Sequence, residues 1–167
     1  EALEIYDAAI KRFPDDIQLR LERGWLLVQN FQNAVTAAAD FAKVLEIDPQ
    51  HAEANSGAGY CAALQQLPNA ARRYALQAVL LGGGDYLILH NVACIYARLY
   101  RDIKNYEDMQ KGDSTDDEWA VQVLHRSTEL WRRGGALAPN ELELIRNEAD
   151  FESLISNRLF QDLIHAK

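Results

Sequence analysis

The chain contains few of the residues that build disulfide-stabilised or metal-stabilised folds. Its 167 residues include two cysteines, one methionine and four prolines. Cys61 and Cys94 form no Cys-x-x-Cys motif, so a disulfide framework and a zinc site are both disfavoured. Free cysteines of this kind are usually small packing residues, which indicates a reducing compartment and a cytoplasmic location. The four histidines belong to no metal-binding motif, and we expect neither a metal nor another cofactor.

Basic residues are scarce relative to acidic ones. The chain has 17 lysines and arginines against 25 aspartates and glutamates, and its net charge is −8. Such a charge opposes binding to a nucleic-acid backbone or to an anionic membrane surface, because both favour basic faces. No apolar run approaches the roughly 18 residues of a membrane span. We therefore expect a protein that binds neither nucleic acid nor membrane.

Catalytic motifs are missing as well. The sequence has no Gly-x-Ser-x-Gly, no P-loop and no dinucleotide-binding fingerprint. Gly82, Gly83 and Gly84 follow a predicted helix instead of a strand, so they indicate a helix end and not a phosphate-binding loop. No set of residues fills the roles of nucleophile, base and oxyanion donor together. The sequence predicts a protein that is not an enzyme.

The chain does contain a pattern that returns three times at intervals of about 34 residues. Each copy has a small residue, an aromatic or small residue, a second small residue and a terminal proline or glycine. The copies are Ala2, Tyr6, Ala9 and Pro14; Ala37, Phe41, Val44 and Pro49; and Ala71, Ala75, Ala78 and Gly83. This periodicity predicts an all-α helical solenoid, in which each unit buries its apolar face against its neighbours. Glu1 falls inside a repeat, so we expect a piece of a longer protein.

The prolines, glycines and capping residues predict where the helices begin and end. The predicted helices cover about residues 1–12, the stretch from a cap at Asp15 or Asp16 to 29, and residues 33–47, 52–65, 69–81, 86–99 and 119–133. Gly24 lies inside a helix, where glycine is unfavourable, and therefore indicates a close crossing of two helices; Ala58-Gly59 repeats this position.

The fourth unit departs from the period. Residues 101–117 form a long polar insertion, interpreted either as a solvated loop or as a loop that contacts a partner. Asp116 or Asp117 is expected to cap the helix that follows. After Pro139, short amphipathic segments over about residues 141–146, 151–155 and 159–164 predict a helical cap on the stack. The predicted organisation is repeats over 1–138 and a C-terminal cap over 139–167.

The spacing of the three copies, with Arg23-Gly24 and Ala58-Gly59 one helix earlier, resembles the tetratricopeptide repeat over residues 1 to about 100. The resemblance implies a right-handed superhelix of helical hairpins whose first helices line a concave groove. Segments 90–97, 130–134, 149–154 and 158–163 resemble the repeat regions of bacterial multidomain proteins, including some serine/threonine kinases.

The resemblance also implies which residues line the groove. Equivalent positions of the first helices give the predicted peptide-binding residues Leu21, Trp25, Gln29, Ser56, Tyr60, Leu64, His90, Asn91, Cys94 and Arg98. Trp25 and Tyr60 occupy equivalent positions in two successive first helices. They are either interface anchors, or rings that fold onto the next helix and complete the core.

The residue types found at equivalent positions of the first helices narrow the chemical class of the ligand. Relatives that grip the free carboxylate of a chaperone tail use Lys and Asn, but here Glu22 and Gly57 stand at equivalent positions beside Asn91. The resemblance therefore disfavours a chaperone tail. An apolar-aromatic ligand with an acid or carbonyl group near Asn91 and Arg98 fits better.

The sequence thus predicts a non-catalytic module that binds a protein or peptide partner. The alternative is a structural or self-associating scaffold, or a regulatory appendage of a larger enzyme such as a kinase. Because the first helix lacks its own repeat partner, the face with Leu3, Tyr6 and Ile10 is expected to be partly bare. Exposed apolar strips promote association, so this end predicts a homodimer.

Overall fold

A computed structural model describes residues 1–104, 115–133 and 141–165 of the chain. Every regular element in these ranges is a helix, which confirms the all-α prediction. The chain divides into two compact units, Glu1–Leu81 and Gly82–Lys167. Unit 1 contains α1 (Ala2–Arg12), α2 (Ile17–Phe31), α3 (Ala34–Ile47), α4 (Ala52–Leu64) and α5 (Pro68–Gly82), which ends at the boundary. Unit 2 contains α6 (Tyr86–Lys104), α7 (Thr115–Arg133), α8 (Glu141–Asn147), a 3-10 helix (Ala149–Leu154) and α9 (Arg158–Ile164).

Side chains cap the first turns of α2, α3 and α4. In each helix the capping side chain accepts a hydrogen bond from the backbone N–H three residues later, at 3.0, 3.1 and 3.3 Å. The capping residues are Asp16, Asn33 and His51. Such bonds satisfy backbone donors that have no partner within the helix. The predicted cap at Asp16 is confirmed.

The core of unit 1 is built around the ring of Phe41 on α3, which is fully buried. A Cβ atom at Gly24 of α2 would lie 2.8 Å from this ring, and one at Gly57 of α4 would lie 2.5 Å from it. Both helices approach α3 this closely because these positions lack a side chain. The close crossing predicted at Gly24 is confirmed. On α4, the residue that meets the same ring is Gly57, which precedes the predicted pair Ala58-Gly59.

A buried carboxylate joins three helices of unit 1. Asp40 of α3 is 1% exposed and accepts hydrogen bonds from Nε and Nη2 of Arg23 at 2.7 and 2.6 Å. Arg20 Nη1 donates to the same carboxylate at 3.3 Å, and Arg23 Nη1 donates to Asp7 of α1 at 2.6 Å. The bond to Asp40 is the main reason that the pKa of Arg23 is raised. We call these four residues the Asp40 cluster.

The face of α1 that was expected to be partly bare packs in part against α2, and Leu3 and Tyr6 keep some exposed surface. Leu3 packs against the core of unit 1, and Ile10 is buried. The Tyr6 hydroxyl donates to Glu22 Oε2 of α2 at 3.0 Å. The expectation of a partly bare strip therefore holds for Leu3 and Tyr6 and not for Ile10. The homodimer through this end stays a prediction.

In unit 2, α6 and α7 extend into the predicted insertion. Residues 101–104 belong to α6 and residues 115–117 belong to α7, so these parts are helical and not loop. Residues 105–114 of the insertion lie outside the described residues. Since α7 begins at Thr115, Asp116 and Asp117 lie in its first turn and neither is the cap that was predicted. Ser127 Oγ of α7 donates to the carbonyl of Tyr86 on α6 at 2.7 Å.

The C-terminal segments pack against the pair formed by α6 and α7. The 3-10 helix contacts α6, and α9 contacts both α7 and α8. Phe151 of the 3-10 helix and Phe160 of α9 are buried, with ring centroids 6.1 Å apart. Ser153 Oγ donates to the carbonyl of Ala97 on α6 at 3.1 Å. Part of the α6 surface is thus covered by the end of the chain itself.

Candidate functional site

Helices α2 and α4 of unit 1 each carry a stripe of residues along one side, and the two stripes occupy matching positions. Positions separated by four, seven and eleven residues lie on one side of an α-helix. We call the surface formed by these stripes of α2 and α4 the α2–α4 face. Its described residues are Gln18, Glu22, Trp25, Gln29, Glu53, Tyr60 and Leu64. Gln18, Glu22 and Gln29 are exposed, and the others are partly buried.

Trp25 is the centre of the α2–α4 face. Its ring meets the Phe41 ring edge to face, with centroids 5.2 Å apart and an interplanar angle of 64°. The indole Nε1–H donates to Glu53 Oε1 on α4 at 2.9 Å. One edge of the indole is therefore fixed by the core and its polar atom by the neighbouring helix, which holds the ring in one orientation.

Tyr60 lies beside Trp25 on the neighbouring helix. The two ring centroids are 6.3 Å apart with an interplanar angle of 54°, within the range of aromatic pairs that attract each other. Both rings pack against the core of unit 1 and both keep some exposed surface. Of the two alternatives that the sequence left open, core contact is present, while part of each ring can still reach a ligand.

The remaining predicted residues of α2 and α4 have unequal access to solvent. Gln29 is exposed, and Leu64 is partly buried against the core. Leu21 is 2% exposed and Ser56 is fully buried, with its hydroxyl donating to the Glu53 carbonyl at 2.8 Å. Leu21 and Ser56 therefore face the helix packing of unit 1 and do not line an open surface, which corrects their assignment to the groove.

The four predicted residues of α6 lie in unit 2, where the 3-10 helix covers several of them. The His90 ring meets the Phe151 ring edge to face at 5.5 Å. Arg98 Nη2 pairs with Asp150 Oδ1 at 2.5 Å, and Cys94 is buried. Asn91 is partly buried.

An acid and an aromatic side chain of the chain itself, Asp150 and Phe151, therefore lie on α6 positions where the sequence predicted an apolar-aromatic ligand with an acid or carbonyl group. Cys94 in particular is corrected, because a side chain buried in unit 2 does not line a groove.

Burial shifts several pKa values in this part of unit 2. Desolvation lowers the pKa of His90 below its usual value, although the charge of Asp150 acts in the opposite direction. Desolvation, followed by the charge of Asp150, raises the pKa of Glu148. The pKa of the Cys94 thiol is raised well above its usual value, again mainly by burial. These groups are held near a protein interior and not in open solvent.

Both thiols are poor nucleophiles in this structure. Burial raises the pKa of Cys61 to about 12, and that of Cys94 is raised as well. Since the thiolate is the reactive form of cysteine, neither side chain is activated for attack or for metal binding. This agrees with the interpretation of both residues as packing residues.

The sequence did not identify Glu53 as part of the site. It is not among the predicted groove residues, but its carboxylate orients the Trp25 indole. Its spacing of seven residues from Tyr60 on α4 puts both on one side of the helix. That spacing was available in the sequence.

Comparisons of the chain with models of protein families, with curated proteins and with solved structures found no match. Within residues 1–104, 115–133 and 141–165, no helix is long and apolar enough to cross a membrane. In the same described ranges, no three His, Cys, Asp or Glu side chains come together as a metal site.

Proposed function

We propose that the chain is a non-catalytic binding module of the tetratricopeptide-like type, and that it holds a segment of a protein or peptide partner on the α2–α4 face. The observation that carries the proposal is the pair formed by Trp25 and Tyr60 on neighbouring helices, 6.3 Å apart and partly exposed. Tryptophan and tyrosine are the residue types that most often anchor interfaces, because they bury large area and keep one polar atom.

Preorganisation supports this assignment. The Trp25 ring is already held by Phe41 and Glu53, so little side-chain freedom is left to lose when a ligand binds. Less lost entropy leaves more of the contact energy as affinity. A ring fixed by the core and open on one side is therefore a better anchor than a freely rotating exposed aromatic.

The repeat-like arrangement of unit 1 supports the class of module. Contacts run from α1 to α2, from α2 to α3 and from α3 to α4, and α2 also contacts α4. The helices α1 to α4 thus pack mainly on their neighbours in sequence, as expected of stacked helical repeats. The stripes of α2 and α4 then belong to equivalent first helices of two successive repeats.

Binding through this face is tested with peptides selected by the wild-type protein from a displayed library of random heptapeptides. We expect Trp25→Phe to weaken binding of the selected peptides about tenfold, because the shorter ring loses contact area and the bond to Glu53. The substituted ring still reaches the core beside Phe41, so the helical circular dichroism and melting temperature are expected to change little. Calorimetric titration below the melting temperature gives the affinity per folded molecule.

A matched control is available on the same helix. Phe31 is an aromatic residue of α2 that is 53% exposed and lies off the stripe of the α2–α4 face. Phe31→Leu is expected to leave the affinity unchanged. Equal affinities of wild type and Trp25→Phe, or a loss with Phe31→Leu alone, would contradict binding through the α2–α4 face.

A further inference from the structure

In the part of the chain that the structure describes, the carboxylates of the α2–α4 face accept hydrogen bonds from neutral groups. Glu22 accepts hydrogen bonds from the Tyr6 hydroxyl at 3.0 Å and from the Gln18 amide at 2.9 Å. Glu53 accepts from the Trp25 indole. All three donors are neutral, so they orient the two carboxylates without neutralising them.

The arginines closest to this surface in sequence are occupied on another side of α2. Arg20 and Arg23 donate to Asp40 of α3, and Arg20 also donates through Nε and Nη2 to the Pro14 carbonyl at 2.9 and 2.7 Å. No residue of the α2–α4 face as defined is basic, and two of its seven residues are acidic. The described surface is therefore aromatic and negatively charged.

Carboxylates beside partly exposed aromatic rings are suited to one kind of ligand. Ammonium and guanidinium groups are attracted both to carboxylates and to the faces of tryptophan and tyrosine rings. Glu22 lies one turn before Trp25 on α2, and Glu53 touches the indole from α4. A cationic side chain over the Trp25 ring would lie close to negative charge from both helices.

We infer that the α2–α4 face binds a peptide segment that carries a lysine or arginine side chain, which is placed over Trp25 between Glu22 and Glu53. The inference rests on the proposed function and names the chemistry of its partner. It differs from the expectation of an apolar-aromatic ligand with an acid or carbonyl group near Asn91 and Arg98. That arginine is paired with Asp150 inside unit 2, so it does not require an acidic partner.

The composition of selected peptides tests the inference. Random heptapeptides displayed in a library are bound to the wild-type protein, and the bound pool is sequenced. We expect lysine and arginine to be enriched over aspartate and glutamate. We also expect affinity of the selected peptides to fall as salt rises, because exposed charge pairs are screened.

Two double variants separate local charge from net charge. The double variant Glu22→Gln with Glu53→Gln keeps hydrogen-bond acceptors for Tyr6 and Trp25 but removes both charges. It is expected to weaken binding of the selected peptides about tenfold. Glu4→Gln with Glu46→Gln removes the same number of charges at exposed positions of α1 and α3, and is expected to leave affinity nearly unchanged. Circular dichroism checks that each variant is folded.

The outcomes distinguish this inference from the function on which it rests. Peptides that depend on Trp25 but show no excess of basic residues, or that bind the first double variant as tightly as wild type, would overturn the inference and leave the binding function standing. A library from which no Trp25-dependent peptide is enriched would overturn both. Basic peptides that lose affinity only with the first double variant support both.

Discussion

At the scale of single residues, Phe41 decides how closely three helices of unit 1 approach. Its ring is fully buried and lies against Gly24 of α2 and Gly57 of α4. A buried ring can move aside for an added methyl group only by disturbing its neighbours, since protein interiors are packed to crystal-like density. The two glycines are therefore steric requirements and not hinges.

Substitution of Gly57 tests this packing. Although alanine favours a helix by about 1 kcal/mol, a Cβ atom 2.5 Å from the Phe41 ring forces the ring or the helix to shift. We expect Gly57→Ala to lower the free energy of unfolding by about 1–2 kcal/mol, a typical effect of overpacking. The measurement is chemical denaturation followed by circular dichroism.

Gly84 provides the matched control for this substitution. It is exposed, and a Cβ atom there would meet nothing within 4 Å. Gly84→Ala is expected to leave stability within about 0.5 kcal/mol of wild type. If Gly57→Ala instead stabilised the protein by as much as its helix propensity suggests, α4 would not be as close to α3 as described.

Trp25 has a packing role and, under the proposed function, a binding role. It contacts the buried Phe41 ring and it presents surface next to Tyr60. Its replacement by alanine would therefore affect stability and binding together. The choice of Trp25→Phe in the binding experiment follows from this, because it keeps a ring in contact with the core.

At the scale of helices, the Asp40 cluster holds α1, α2 and α3 together. Asp40 is 1% exposed, and its partners Arg20 and Arg23 are 13% and 17% exposed. Burying these charges is unfavourable on its own, and pairing with several hydrogen bonds is what offsets it. The cluster thus fixes the relative position of the helices through the geometry of the guanidinium groups.

Breaking this cluster is expected to be strongly destabilising. Asp40→Asn keeps the size of the side chain but leaves two arginines facing a neutral, buried amide. We expect the free energy of unfolding to fall by about 3 kcal/mol, as is usual when one partner of a buried ion pair is removed. Urea denaturation measures the change.

An exposed pair on the same helix gives the comparison. Lys43 and Glu46 of α3 form a salt bridge of 2.8 Å at the surface. Glu46→Gln is expected to change stability very little, because water screens exposed pairs. Similar effects of the two substitutions would show that the Asp40 cluster is solvated and does not act as a buried connection between helices.

At the scale of the whole molecule, stability is expected to depend on pH through unit 2. Burial lowers the pKa of His90, so the unfolded chain binds a proton at a higher pH than the folded chain does. Between the two pKa values the unfolded state carries more protons, and acidification favours unfolding. The contribution is present in full above the unfolded pKa of about 6.5 and is lost as pH falls below it.

Thermal unfolding of wild type and His90→Gln at about pH 7.5 and about pH 5.5 measures this contribution. We expect the melting temperature of wild type to fall more on acidification than that of His90→Gln. Asp150, whose charge acts on His90, its partner Arg98 and the neighbouring Glu148 remain in both proteins. Equal pH dependence of the two proteins would mean that His90 is as accessible to protons in the folded state as in the unfolded one.

The sequence by itself determined the helical content and much of its division into elements. The prolines, glycines and caps act locally, so helices could be predicted to within a few residues for α3, α4 and α5. The close approach at Gly24 was also predictable, because glycine inside a helix is unfavourable unless space is needed. The ends of α6 and α7 were missed, since polar composition suggested a loop where the chain continues as helix.

The candidate site depended on tertiary structure to a much greater degree. Equivalent positions of the predicted first helices identified Trp25 and Tyr60, but they could not show that Leu21 and Ser56 face the interior. Only packing decides which side of a stripe is covered, because the same helical spacing serves both core and surface.

The charge of the site was also decided by contacts between residues distant in sequence. Asp150 pairs with Arg98 in unit 2, and Glu53 of α4 accepts a hydrogen bond from the Trp25 indole. A sequence lists charges without their partners, and the interaction of a charge depends on distance and burial. The sequence therefore determined that the chain is helical, whereas the tertiary structure decided that its partly exposed aromatic pair lies beside carboxylates.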